Sequence, residues 1–500
     1  MIRRHESDRR PQISVPGVWV TLAGILTVAA FLRFWGIGTN FHFMGDEGTQ
    51  SMAEWGLIHG NLPLLGPSLS IGTMHPHLGP IFYYLAAGPL WLSGGSPIAP
   101  TVMVGISGIA AVAVLFLYLR FPLGDWPALG ASAVMATSFL MVEYSRRPWN
   151  PTPTPFFALL FLWSLVLWKR HSSRYMVLTA GTLAVLLQLQ PVNIFLVALL
   201  GVFVVLARPP VPSLWFLCLA AGLFLAVSSP LIAYDLTHGF ANTENWLSAF
   251  LGARKGTGGP HTSSPRVLLV LFNRAFEPRI VAVSIVIAVT ICLAAIYVAL
   301  ADNDAVGANW ELLSPLMLLV IAAVGFEVYR HEVFEQYMVC LFPLPFIFLA
   351  ALLRLLWKGP LARGLAVVVV ISLSAVGVRD VVQYCYLTPE VTVASAAVIS
   401  HDLEPDDTYG HVVAVGRVIE GWAAGRAFSV RMESPINSPQ GYEYVLARQH
   451  DRPGRGELTF LLVEPPSFPR RLWTNAQDRA LVRGSDRTAT IGVVRLYEIP

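Results

Sequence analysis

The sequence predicts a mainly α, polytopic membrane protein with about 11 transmembrane helices, further interfacial helices and a small C-terminal α/β soluble domain. Three observations carry this expectation. Of 500 residues, 55% are hydrophobic and only 13% are charged, against roughly 25% charged in an ordinary soluble domain. Apolar runs long enough to cross a bilayer recur through residues 1–378. After Arg379 the composition turns polar and short β-like runs replace them.

A span needs ~20 apolar residues. Such runs lie near 18–36, 98–120, 128–145, 154–168, 175–190, 191–207, 213–233, 280–300, 311–328, 337–357 and 362–378. The stretch 175–207 can also form one hairpin turned at Gln190-Pro191. Residues 78–92 are apolar but short and hold Pro80 and Pro89, which suits a segment lying in or dipping into the interface. The basic residues test the count. With residues 1–17 cytoplasmic, Arg120, the Lys169–Arg174 cluster, Arg208 and Arg354–Arg363 all fall on the inner side, as positively charged loops prefer. Counting 78–92 as a span would put the Lys169–Arg174 cluster outside. The outer face then holds a first loop 37–97, the turns at 143–151, 188–193 and 329–336, the loop 234–278 and everything after about 379. The end of the 234–278 loop, RVLLVLFNRAFEP, reads as a further interfacial helix.

Two units follow: a membrane module over 1–378 and an extracytoplasmic α/β domain over 379–500. In the second, HVVAVG (411–416), LTFLLVE (458–464) and IGVVRLYEI (491–499) read as strands and VTVASAAVISHDLEP (391–405) as a helix. The net charge of +3 is too small to argue for nucleic acid. Four scattered cysteines suit neither a disulfide framework nor a structural zinc site. No phosphate-binding glycine loop or internal repeat is present, which argues against an ATP-driven machine. The charged N-terminus MIRRHESDRR, with no small-residue cleavage site after the apolar run, reads as leading into an uncleaved first span.

Chemistry-bearing residues gather on the outer face. Asp46 and Glu47 lie between glycines just after the first span, where an acid also suits the start of a short helix. His75 and His77 flank a proline before Tyr83; a Pro-stiffened turn explains them at least as well as metal binding, for no third ligand is near in sequence. Glu143, Arg146 and Arg147 end a span on the side where cations are disfavoured, so lipid phosphate, Glu143 or a substrate phosphate is wanted as partner. Gln190 sits in the hairpin turn. Asp235 and His238 open the largest outer loop, with Arg254 and Lys255 in its glycine-rich stretch, and Arg330 and His331 precede another span. Acids and bases from five separate turns thus converge on one membrane face.

In order, these segments are an N-terminal span, the Asp46-Glu47 loop, His75-Pro76-His77-Leu78-Gly79, the Glu143/Arg turn, Pro230-Leu231-x-x-x-Asp235-Leu236-x-His238-Gly239-Phe240, Tyr337 with Pro343-x-Pro345, and a soluble domain. This order resembles the GT-C superfamily of polyprenyl-phosphate-sugar-dependent glycosyltransferases, above all the glycosyltransferase family 39-like branch of protein O-mannosyltransferases and lipid A aminoarabinose transferases. The resemblance covers most of residues 18–378. It implies an integral-membrane enzyme, in a bacterial plasma membrane, that moves a sugar with inversion from a polyprenyl monophosphate to a lipid, glycan or protein acceptor on the outer face. It implies that Asp46 is the base, with Glu47 beside it, and that no cofactor is required, although Asp46, Glu47 and His75 are of the type that holds Mg or Mn. His77 stands where the family often has proline, the Glu143-Tyr144-Ser145-Arg146-Arg147 turn departs from Arg-Glu-x-Arg, and Gln188 and Gln190 replace a lysine. A polyprenyl phosphate is already a good leaving group, so the chemistry asks for a base and for cations, with Arg146, Arg147, Arg254, Lys255 and Arg330 as candidates. A transporter of lipid-linked sugars is the first alternative, yet polar groups at span ends and the missing repeat disfavour it. A non-catalytic assembly subunit is the second.

Overall fold

The computed structural model describes residues 16–499 apart from 70, 72–73, 254–261, 278–279, 302–308, 330–332, 388–389, 393–402, 406–407, 435–437, 450–457, 465–471, 473–477, 480–481 and 493. It is mainly helical with a small C-terminal sheet, as expected. Six described helices are long and apolar enough to span a bilayer: Pro16–Phe34, Ile98–Leu123, Leu214–Thr237, Val281–Ala301, Trp310–Tyr329 and Pro360–Leu387. A seventh is formed if Glu335–Leu341 and Leu344–Leu356, bent by 45°, are one span. These helices make the chain an integral membrane protein. The remaining expected spans are shorter helices, Asp125–Thr137, Thr154–Arg170, Tyr175–Leu189 and Ile194–Ala207.

The run 128–145 is not one helix. It breaks at Ser138, whose ψ is 128°, between Asp125–Thr137 and Phe139–Tyr144. Gly377 of the last span packs so close to the Thr137 carbonyl that a Cβ there would overlap it. The buried Arg33 side chain bridges the break by donating from Nη1 to the carbonyls of Ala29 and Ala136, both at 3.1 Å. The break re-aims Phe139–Tyr144 and the turn after it toward the acid pair.

Two short helices lie between the spans Pro16–Phe34 and Ile98–Leu123: Gly45–Ile58, which carries the acid pair, and the apolar Ile81–Leu92. Ser264–Phe276 is helical as expected, but its second half, Val270 to Phe276, is buried on every side rather than on one face. It carries Arg274 into the interior, so it is a packed element and not a surface-lying one.

The last long helix runs through the expected unit boundary to Val381 and continues as a π-helical turn to Leu387. Strands β1 (Glu390–Thr392) and β2 (Leu403–Pro405) pair antiparallel at the two ends of the expected 391–405 helix, and 393–402 lie outside the described residues. The four-stranded sheet combines β3 (Phe428–Glu433), β4 (Leu458–Val463), β5 (Arg487–Ile491) and β6 (Val494–Ile499) in the order β3-β4-β6-β5. Only the β3–β4 pair is parallel. The expected strand at 458–464 is thus present as β4, whereas 491–499 divides into the end of β5, at Ile491, and β6. The HVVAVG strand is instead part of the helix Tyr409–Ala423. Its buried residues Val412, Val415, Gly416, Ile419 and Ala423 follow helical spacing, and Thr408 caps it by accepting from the His411 amide at 3.4 Å. A window of six residues rich in valine hides that period.

Candidate active site

The acid-pair helix begins at Gly45 behind Met44, a residue with no side-chain oxygen to cap it. Glu47, at the third helical position, does so in its place: its Oε2 accepts from the Met44 amide at 3.2 Å. Expecting Asp46 to be the cap therefore fails by one residue, because only the third position folds back over the first turn. The other Glu47 oxygen, Oε1, accepts from Arg147 Nη2 at 2.9 Å and Nε at 3.2 Å. His42 Nε2 stands 3.5 Å from Oε2. Burial of Glu47 pushes its pKa up, but His42 and Arg147 outweigh that and hold the carboxyl below the usual range. Glu47 is a buried, ionised anchor.

Asp46 differs in every respect. Its side chain is exposed to solvent, yet the surrounding protein desolvates the carboxyl and raises its pKa, and the Glu47 charge raises it further. Arg147, His42 and a hydrogen bond from Trp149 oppose this without cancelling it. The carboxylate is thus accessible yet partly desolvated. Two adjacent acids are thereby split into one fixed anion and one group of increased basicity.

Arg147 and Trp149 reach this point from the turn after Phe139–Tyr144. The Arg147 guanidinium lies 4.5 Å from the centre of the Trp149 ring. The turn is closed by the Trp149 amide donating to the Arg147 carbonyl at 2.8 Å and by Thr152 Oγ1 donating to the same carbonyl at 3.1 Å. Behind it sits a second ion cluster. Arg274 donates from Nε to Glu335 at 2.5 Å, from Nη1 to Glu277 at 2.5 Å and from Nη2 to Glu143 at 3.0 Å. All four are buried. Burial, followed by the nearby carboxylates Glu335, Asp380 and Glu143, raises the Glu277 pKa to about 8 against the pull of Arg274. One guanidinium cannot neutralise three carboxylates in a dry site, so a proton stays on.

No protein-family model matches this sequence, and no curated protein matches it significantly. The solved structures do. ArnT from Cupriavidus metallidurans bound to undecaprenyl phosphate superposes with a TM-score of 0.61 at 12% identity, over 97% of this chain and 98% of that one. Its apo state gives 0.60 at 13% identity over the same shares. The Archaeoglobus fulgidus oligosaccharyltransferase tethered to an acceptor peptide gives 0.50 at 11% identity, over 86% of this chain and 63% of that one. The chain has the GT-C fold.

Within this GT-C frame the expected site residues fall into groups. Asp46, Glu47 and Arg147 meet as described. Tyr83 is buried on Ile81–Leu92 within electrostatic reach of Asp46. His75 is exposed in the loop before that helix. Its neighbour His77 is structural: its backbone amide donates to Asn242 Oδ1 at 2.8 Å and its carbonyl accepts from Trp246 Nε1 at 2.9 Å. Arg146 is buried away from the acids and donates to the carbonyls of Arg33 (2.8 Å), Trp35 (3.0 Å) and Asn40. It ties the end of the first span to the first loop, with three of its five N–H donors committed to backbone carbonyls. Glu143 is taken by Arg274. Gln190 is buried, its amide 3.4 Å from the Gln336 carbonyl. Asp235 caps the next helix, accepting from the amides of Asn242 at 3.0 Å and Thr243 at 3.3 Å. His238 stacks on Tyr234 at 4.1 Å and is exposed. Arg254, Lys255, Arg330 and His331 lie outside the described residues.

Sequence reading passed over His42, Trp149 and Arg274. His42 stands four residues before Asp46 and was available as a signal. Arg274 was not, since nothing in RVLLVLFNRAFEP says that the helix is buried at its end.

Proposed function

We propose that this protein is an inverting membrane glycosyltransferase. It takes a sugar from a polyprenyl-phosphate donor and passes it to an acceptor hydroxyl on the extracytoplasmic face. The observation that carries the reading is the division of labour in the acid pair: Glu47 is ionised and locked by Arg147 and His42, while Asp46 is accessible and raised in pKa. A base for a hydroxyl should be accessible and more basic than a free carboxylate. Asp46 accepts the hydroxyl proton as the acceptor oxygen forms its bond to the anomeric carbon. The bond from that carbon to the phosphate oxygen breaks on the opposite side, and the electron pair leaves with the polyprenyl phosphate. One such displacement inverts the centre. Arg147 acts electrostatically on Asp46 and keeps a partly exposed edge; Arg254, Lys255 and Arg330 are further candidates for the departing charge. The donor class is supported by the match to a fold that was solved with undecaprenyl phosphate.

Asp46→Asn tests this. The change removes the base while keeping size and polarity, so transfer from an undecaprenyl-phosphate sugar should fall about 10²–10⁴-fold. Wild-type transfer by this variant overturns the assignment.

A further inference from the structure

The soluble domain does more than sit beside the membrane module. It grips the acid-pair loop at both ends. Before the acids, the amides of Tyr409 and Gly410 donate to the carbonyls of Phe41 at 3.0 Å and Thr39 at 2.8 Å, and His42 bridges to Thr408. Phe41 stacks on Tyr409 at 5.1 Å, and Phe43 meets Tyr409 at 5.4 Å and Tyr444 at 5.9 Å, each edge to face. At the acids, the helix Gln440–Gln449 crosses the acid-pair helix backbone to backbone. A methyl group on Gly48 would overlap the backbone of Gln440 and Gly441, and one on Gly45 would overlap Ser438. A Cβ on Gly441 would stand 3.0 Å from the Phe43 carbonyl oxygen and 3.2 Å from that of Met44. Gly48 is interior to its helix and has no positive φ, so its conformation does not require glycine; the close approach does.

The residues flanking Asp46 and Glu47 on both sides are therefore held by a part of the chain some 400 residues later. We propose that the soluble domain is a built-in positioning element of the acid-pair site, with Gly441 the residue through which the Gln440–Gln449 helix fixes the start of the acid-pair helix. The domain acts through backbone geometry and does not touch the reacting atoms. Its contribution is the placement of the Asp46 carboxylate and the exclusion of water behind it. This rests on the reading of Asp46 as the base. Because misplacement by about 1 Å can cost on the order of 10²-fold in rate, a side chain at 441 should affect kcat far more than donor binding.

The test uses the full-length protein in nanodiscs, with Gly441→Val and Gly441→Ala. Two readouts are taken: transfer from an undecaprenyl-phosphate sugar, and amide hydrogen exchange over residues 41–54. Valine is expected to lower kcat by about 10²-fold with the donor KM within about twofold. It should also move the acid limb of the kcat/KM profile to lower pH, as water regains access to Asp46, and speed exchange selectively at 41–54. Alanine, which needs a shift of only tenths of an ångström, should recover most of each. Wild-type kcat and wild-type exchange in Gly441→Val overturn the proposal. So does a general loss of protection through the membrane helices in both variants with no selective change at 41–54. Full transfer by Asp46→Asn sinks the functional reading instead, and the exchange arm still decides whether the domain positions the loop.

Discussion

Removing the Arg147 side chain with Arg147→Met should expose how the acid pair is held. Glu47 is fully buried, and its Oε1 receives both of its side-chain hydrogen bonds from Arg147. The methionine keeps the packing against Trp149 but leaves a buried carboxylate facing only His42 and the Met44 amide. Breaking a buried pair from one side costs roughly 3–5 kcal/mol. Retained contact with His42 puts this case near the lower end, about 3 kcal/mol. Glu47→Gln removes the charge as well as the demand for it, so the double variant Arg147→Met, Glu47→Gln should recover about 2 kcal/mol of that loss. Thiol-reactive dye unfolding in detergent suits the measurement once the exposed Cys218 and the half-buried Cys292 and Cys385 are replaced by alanine, since Cys340 is fully buried. The folded-state pKa of Glu47 is depressed. Its contribution is present above the unfolded pKa and is lost as pH falls through the folded value. The gap between wild type and Arg147→Met should accordingly close in acid. A double variant as damaged as the sum of its parts, or a gap that does not narrow in acid, would refute the coupling.

Two further outcomes are expected. Glu277 has its folded pKa raised to about 8, so the folded state holds a proton that the unfolded chain releases, and wild-type stability should fall as pH rises from about 4.5 to about 8. Glu277→Gln should flatten that part of the stability profile while matching wild type at about pH 5, and an unchanged slope refutes the assignment of the proton. For the topology, cysteines placed singly at Asp46 and His171 in a cysteine-free background should label from opposite sides, His171 from the cytoplasm. Labelling of position 171 from outside breaks the topology drawn from the basic clusters.

Much of the fold was legible because membrane insertion imposes a simple condition on sequence: a span must be apolar along its whole length. Composition alone carried the polytopic class, and the short, proline-bearing stretch at 78–92 forms the 12-residue helix Ile81–Leu92. The same signal misread 128–145, because an apolar run does not say whether the helix inside it is continuous. At the break, Gly377 packs against the Thr137 carbonyl from 240 residues away. Near the C-terminal sheet, valine-rich HVVAVG looked like a strand over six residues and is a helix over fifteen, since burial of one helical face follows a period that a short window cannot register.

The candidate site divides in the same way. Sequence by itself determined that Asp46 and Glu47 stand together after the first span. Only the tertiary structure decided which acid is which. Glu47 is buried because the third helical position turns back over Met44 and meets Arg147, brought by a turn 100 residues on. Asp46, one position earlier, points into the open, yet its carboxyl stays partly desolvated and raised in pKa. The same step from one residue to the next separates Arg146, committed to three carbonyls, from Arg147. Adjacent residues on a helix or turn point in directions about 100° apart, so a motif names the neighbourhood of the chemistry, while burial and long-range partners assign each role.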